Sequence, residues 1–440
     1  MTLAMASALA ILVITYIFLF LDKIHRTIIG LAGATAMLLV GKLLRFYQSI
    51  PTTDHPDLTG TALGAIDWNT MGLLFGMLVI GGILEETGVF EYISIRIAKM
   101  TRGNYWLLLL ALSWFAFLAS TLFNNVTTII FVGSITLSIS SILRVNPVPL
   151  LISEAIMSGV GGMATLIGDP PNVMIGSAAG FTFLDFVLYL APIAIAIGLG
   201  TCLIFRWLYR HDLSHEVEDP KGLMEMSERD AIQEPVVLRR ILIVFAGVLV
   251  LFVVPQIFQL LPSEVAMAGA AVALVWVRPD LLEILNKIKW DVLLFFAGLF
   301  VIVGGLEAAG VLDLVAHSIG GLVKSNPILA LLVVLWGSAL FSAIIDNIPF
   351  TIALIPIITT LGSMGISIIP LWWALAAGVA LGGCATPMGA SANVYVMSLS
   401  ESKGLPIGFQ GWMRVGVPVV LGQLVIASLI LLGMLQLGLI

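Results

Sequence analysis

Gly161-Gly162-Met163-Ala164-Thr165-Leu166-Ile167-Gly168-Asp169-Pro170-Pro171-Asn172 decides the fold, because it returns 221 positions later as Gly382-Gly383-Cys384-Ala385-Thr386-Pro387-Met388-Gly389-Ala390-Ser391-Ala392-Asn393. A shift of 222 aligns what lies upstream: Trp68 with Trp290, Gly76 with Gly298, Gly82 with Gly304, Glu85 with Glu307, Gly88 with Gly310, Trp114 with Trp336, Ser120 with Ser342 and Asn125 with Asn347. One gap in so long an alignment marks an internal duplication, and a duplication governs every later reading. It divides the chain into a first repeat over 1–210, a linker over 211–235 and a second repeat over 236–440.

Outward from that stretch the sequence is apolar almost without pause. Of 440 residues 60% are apolar and 10% charged, against about 45–50% and 25% in soluble domains, and mean hydropathy is +1.10. Apolar windows of spanning length fall at roughly 3–21, 28–46, 69–88, 105–143, 149–178, 186–206, 237–260, 264–277, 291–310, 327–364, 371–399 and 413–438. The chain therefore reads as an all-α polytopic membrane protein. Its first apolar run precedes Lys23 and Arg26, the reverse of a signal peptide's order, and is expected to be an uncleaved first span. The two cysteines, Cys202 and Cys384, both lie in apolar stretches and offer neither a disulfide framework nor a thiolate metal site.

Lys and Arg in short loops set the orientation. With the N-terminus outside, all but Lys42, Arg45 and Lys324 of the 20 basic residues fall on the inner side. This predicts a cell (inner) membrane protein with both termini external and a cytoplasmic linker. The windows 105–143 and 327–364 are double length, and each either spans twice or returns to its own side. Either way the first repeat crosses an odd number of times, so the second is inverted, the plan of many secondary transporters.

Each repeat interrupts its apolar helices twice. The double-length windows carry Asn124-Asn125-Val126-Thr127-Thr128 and Asp346-Asn347-Ile348-Pro349-Phe350-Thr351; the later windows carry the Gly/Asn stretches quoted above. Pro lacks a backbone donor and Gly weakens helix, so the later stretches predict unwound backbone inside a span, tolerated only against protein or a water-filled cavity. Unwound carbonyls, Asn amides and hydroxyls can replace a small ion's hydration shell, and half-helix N-termini face electron-rich oxygens. The candidate solute and ion ligands are thus Asn124, Asn125, Thr127, Thr128, Thr165, Asp169, Asn172, Asp346, Asn347, Thr351, Thr386, Ser391 and Asn393. Scattered polar glue between helices need not repeat, whereas these do. Asp169 and Asp346 are the candidate coupling groups, one per repeat, because an intramembrane carboxylate is costly and calls for a function. No cofactor or metal is called for, no basic or aromatic patch points to nucleic acid, and there is no Walker A motif, so ATP drive would need a separate subunit.

On these motifs the chain resembles the ion transporter superfamily, specifically the arsenite permease and pink-eyed-dilution P-protein branch, over nearly its whole length. The resemblance implies five transmembrane helices plus a re-entrant hairpin in each inverted repeat. The hairpin tips would lie at Asn124-Asn125 and Asp346-Asn347, with helices broken at the Gly/Asn stretches. It also implies a homodimer with an elevator-type transport unit. The related sodium-dicarboxylate branch carries Ser-Asn-Thr at the equivalent places; this chain lacks that triplet at all four, which counts against carboxylates. So does the absence of Lys and Arg from the motif segments. The expectation is a proton-coupled arsenite or antimonite efflux carrier, with a sodium/proton antiporter or an anion carrier as alternatives. Broken helices also line pores, but inverted repeats favour a carrier over a channel.

Overall fold

The structure, a computed structural model, describes residues 2–21, 24–45, 62–210, 220–225, 227–254 and 260–440. The expected external loop at 52–61 and much of the linker lie outside them. All regular structure among the described residues is helical, and eight helices are long and apolar enough to cross a membrane.

The first repeat comprises α1 (Leu3–Leu21), α2 (Arg26–Leu44), α3 (Trp68–Glu86), α4 (Val89–Met100), α5 (Tyr105–Ser120), α6 (Asn125–Leu143), α7 (Val148–Gly162), α8 (Pro170–Ala179) and α9 (Phe183–Leu208). A short α10 (Pro220–Glu225) lies in the linker. The second repeat follows with α11 (Pro235–Val253), α12 (Pro262–Val277), a short α13 (Leu281–Lys287), α14 (Trp290–Ala308), α15 (Val311–Ser325), α16 (Pro327–Ile344), α17 (Asn347–Ser363), α18 (Ile369–Gly383), α19 (Ser391–Ser402) and α20 (Phe409–Gln436). Apart from α13, the two series match helix for helix. The double-length windows are hairpins, α5–α6 and α16–α17, and the later windows are broken helices, α7–α8 and α18–α19. The helices α4 and α15 occupy stretches that the hydropathy windows left as connections. Each follows a glycine in the left-handed region, Gly88 at φ +72° and Gly310 at φ +76°, where the chain turns a corner open to few other residues.

Side-chain caps start the helices where the sequence turns polar: Asp67 accepts from the Asn69 and Thr70 amides, Asn104 from Leu107, Asn326 from Leu329. The helices then pack in two groups. In one, α2 lies along α14 and α12 along α3. Both pairs are parallel: Thr27 donates to the Asp291 carbonyl at 2.8 Å, and farther along a Cβ on Gly30 or Gly33 would strike Phe295 or Ile302. In the other, α5 packs on α7 and α16 on α18, while α8 of the first repeat meets α17 and α19 of the second meets α6. Helices α9 and α20 cross at the repeat-related glycines Gly200 and Gly422, and Gln423 there donates to Thr201 at 2.9 Å. Small residues at each crossing are what membrane helices use to approach closely.

Candidate functional site

The two breaks are built alike. In the first, Thr165 Oγ1 donates to the Thr121 carbonyl at the hairpin tip and accepts from the Gly168 amide at 3.2 Å. Asn172 Nδ2 reaches the carbonyls of Gly162, Met163 and Thr165 at 3.1, 3.1 and 2.8 Å. In the second, Thr386 Oγ1 donates to the Ala343 carbonyl at 2.5 Å and accepts from the Gly389 amide at 3.1 Å, while Asn393 Nδ2 reaches the Gly383 and Thr386 carbonyls at 2.8 Å. Unwound backbone inside a bundle must have its carbonyls satisfied, and these four side chains spend their donors on that task. They hold each break against its own hairpin tip.

The tips themselves self-cap. Asn124 Oδ1 accepts from the Val126 amide at 2.8 Å, Asp346 Oδ1 from the Ile348 amide at 3.3 Å, and Thr351 Oγ1 donates to the Asn347 carbonyl at 2.8 Å. Because α8 packs on α17, the second tip meets the first break: Asn347 Nδ2 donates to Asp169 Oδ2 at 3.0 Å, with both residues buried. Asp346 precedes Asn347 in the chain, so the second acid stands next to that contact. Ser391 Oγ stands 3.4 Å from Asp346 Oδ2. Asn125 and Thr128 are buried at the first tip, where Thr128 Oγ1 has no hydrogen-bond partner among the described residues.

One expectation needs correcting. The motif segments contain no Lys or Arg, yet the site does. Arg26, from the first turn of α2, donates to Asp346 Oδ2 and, at 3.1 Å, to Ser391 Oγ. Lys289, immediately before α14, places its ammonium 3.5 Å from Thr127 Oγ1 at the other tip. In the sequence both residues counted only as topological charges. The available signal was the repeated glycine pattern at Gly76 and Gly298: the Gly298 Cβ would come within 2.8 Å of the Gly30 backbone, an approach that brings the starts of α2 and α14 together under the tips.

A cavity of about 60 Å³ lies at the first tip, lined in part by Glu85, Asn124, Thr127, Pro170 and Lys289. It shares Glu85 and Lys287 with a vestibule of about 810 Å³ bounded by the ends of α3 and α12, by Gln233 and Glu234 of the linker, and by Ser134 and Ser138 of α6. On the vestibule rim Lys287 binds Glu86 at 2.8 Å and Glu283 at 3.3 Å. Burial pulls the Lys287 ammonium's pKa down, but the hydrogen bonds and charges of Glu86 and Glu283 outweigh it and leave it above the ordinary value.

Inverted repeats, two re-entrant tips, two mended breaks and a buried acid where the second tip meets the first break define a membrane transporter. The citrate transporter (CitMHS) family profile matches residues 16–378, and the chain belongs to that family, within the ion transporter superfamily. It is 34% identical over 431 residues to the 46 kDa membrane protein of Mycobacterium leprae, covering 96% of this chain and 97% of that one. It is 30% identical to the human P protein, covering 94% of this chain and 58% of the larger protein. Its fold matches the Alcanivorax borkumensis YdaH transporter with a TM-score of 0.65 at 16% identity, covering 94% of this chain and 99% of that chain.

Proposed function

We propose that the chain is an inner-membrane secondary-active carrier of a small oxyanion or carboxylate, coupled to a proton or sodium ion through Asp169 and Asp346. The observation that carries this reading is the Lys289 ammonium beside Thr127 at the hairpin tip, on the wall of a cavity that leads to the vestibule. Arg26 neutralises Asp346, so once Asp169 and Glu85, which shares the cavity wall with Lys289, hold protons, the Lys289 ammonium is left to face an anion. Anion and proton then favour each other's binding, as linkage requires of any coupled pair. The arsenite expectation goes with motif segments that carry no Lys or Arg, and the Lys289 ammonium at the first tip favours an anion instead. Membership of the citrate transporter family agrees with that choice.

In this reading the helices around α2, α3, α12 and α14 form a scaffold, and the hairpins with their broken helices form an elevator-type unit that moves against it in a homodimer. The vestibule is cytoplasmic. Uptake of labelled citrate, arsenite and sodium into proteoliposomes tests the choice of solute. Saturable citrate counterflow that is lost in Lys289→Gln is expected. Transport of arsenite alone, or sodium/proton exchange with no anion movement, would overturn it.

A further inference from the structure

Glu154 is a carboxylic acid that the site does not use. It is fully buried in α7, Oε1 takes a hydrogen bond of 2.5 Å from Thr136 Oγ1 on α6, and Oε2 has no partner among the described residues. The elements packed on α7 bring it no counter-charge. Helices α6 and α18 carry no acid or base. On α5, the Tyr105 hydroxyl donates to the Asn146 carbonyl. On α9, Asp185 caps Thr182, Tyr189 stacks on Trp373 and Arg206 on Trp106, while Cys202 lies beside Trp114. On α19, Tyr395 is half-buried and Glu401 exposed, and Arg414 of α20 is exposed. An ionised carboxylate in such a place would have neither water nor a counter-charge to stabilise it.

The second repeat shows that packing does not need it. The equivalents of Thr136 and Glu154 are Ile358 and Leu375, both buried, and the same fold closes around them. The difference runs along one helix face. Positions 154, 158 and 162 of α7 are Glu, Ser and Gly, where the second repeat has Leu375, Val379 and Gly383. That face ends at the coupling acid: a Cβ on Gly162 would lie 3.4 Å from both Asp169 Cβ and the buried Ser120 Oγ, which has no hydrogen-bond partner among the described residues. Glu154 lies two helical turns below Gly162 on that face, about 12 Å along the helix axis. At its other end, Thr136 adjoins Ile135, and Ser134, Ile135 and Ser138 line the vestibule, so one helix separates Glu154 from vestibule water.

We propose that Glu154 is a second proton-binding site of the carrier, which passes protons between Asp169 and the vestibule. In each passage one O–H bond breaks on the Asp169 carboxyl, the proton is handed on through the Ser120 and Ser158 hydroxyls and water between them, each taking one proton and releasing another, and one O–H bond forms on Glu154, which later yields that proton to water. No oxidant or other reactant enters. This role rests on the carrier reading above, and its test has an arm that does not. Infrared difference spectra of reconstituted protein, wild type minus Glu154→Gln, are expected to show a protonated-carboxyl band that shifts in D2O. Absence of the band means an ionised Glu154, and a band that never exchanges means a sealed one; either overturns the proposal.

The functional arm uses labelled citrate in proteoliposomes. Glu154→Gln, and the double variant T136I/E154L that installs the second repeat's own pair, should keep citrate counterflow but lose pH-gradient-driven uptake by about tenfold, the order of an ordinary coupling free energy. Wild-type gradient-driven uptake in both variants overturns the proposal. Absence of counterflow in the wild-type protein would instead sink the anion reading, leaving the infrared arm to decide on Glu154.

Discussion

The contact between Arg26 and Asp346 joins residues 320 positions apart, one from a helix start and one from a hairpin tip, and it is only partly shielded: the side chains are 26% and 10% exposed. Removing one partner from a buried ion pair costs about 3–5 kcal/mol because the other charge is left stranded. Here the exposure of Arg26 reduces that. Arg26→Gln should therefore lower detergent-solubilised stability by a few kcal/mol, and R26Q/D346N should regain a large part of the loss. A thermal-unfolding double-mutant cycle checks this, and simple additivity would mean that the pair does not interact. At this scale the sequence showed which side chains repeat, because Asn, Thr, Ser and Asp stand out in apolar windows. It did not show how they divide the work. Whether Asn172 faces a solute or its own carbonyls depends on the path of seven unwound residues, 163–169, and no spacing rule encodes that path.

Among elements, the hairpins were legible as double-length windows, and their depth of packing is written in glycines. A Cβ on Gly161 would fall 2.1 Å from the Phe117 carbonyl oxygen, and one on Gly382 2.2 Å from that of Ala339, the same contact in the two repeats. Gly161→Ala and Gly382→Ala should each destabilise the protein by about 1–3 kcal/mol through overpacking. Gly247→Ala, with nothing within 4 Å, serves as the control, and equal melting temperatures for all three would refute the close approach. The helices α4 and α15 escaped the hydropathy windows because they are amphipathic and one polar face dilutes the average. The linker is tied down through α4. Lys99 binds Glu228 at 2.5 Å, Gln233 donates to the Thr87 carbonyl at 3.4 Å, and the Lys99 hydrogen bond holds the Glu228 carboxyl below its ordinary pKa. A lowered acid contributes its stabilisation above the usual carboxylate pKa and loses it as pH falls through the lowered value. Hydrogen exchange over 228–233, corrected for intrinsic rate, should thus rise only in strongly acidic buffer, and Glu228→Gln should raise it already at neutral pH.

For the whole molecule, duplication and composition made the plan readable, whereas the state of the cycle could not be read, because one sequence encodes every state. In this structure both hairpin tips sit level with the starts of α2 and α14, where Arg26 and Lys289 reach them, and the vestibule opens beside the Arg278–Lys289 segment. If the basic loops face the cytoplasm, this is the inward-open state. The inverted repeats then demand that equivalent positions reach opposite baths. Ser141 near the end of α6 and Ser363 at the end of α17 are such a pair, 222 residues apart, both serine and both exposed. Each hydroxyl only returns a hydrogen bond to its own helix, Ser141 to Leu137 at 2.9 Å and Ser363 to Thr360 at 2.7 Å, so cysteine is tolerable at either. The native Cys202 and Cys384 are buried and should stay silent. An impermeant maleimide should label Ser141→Cys only in inside-out vesicles and Ser363→Cys only in right-side-out cells. Labelling of both from one side would break the inversion itself, whereas the exact reverse of the expected pattern would keep the inversion and turn the molecule over, making the vestibule external.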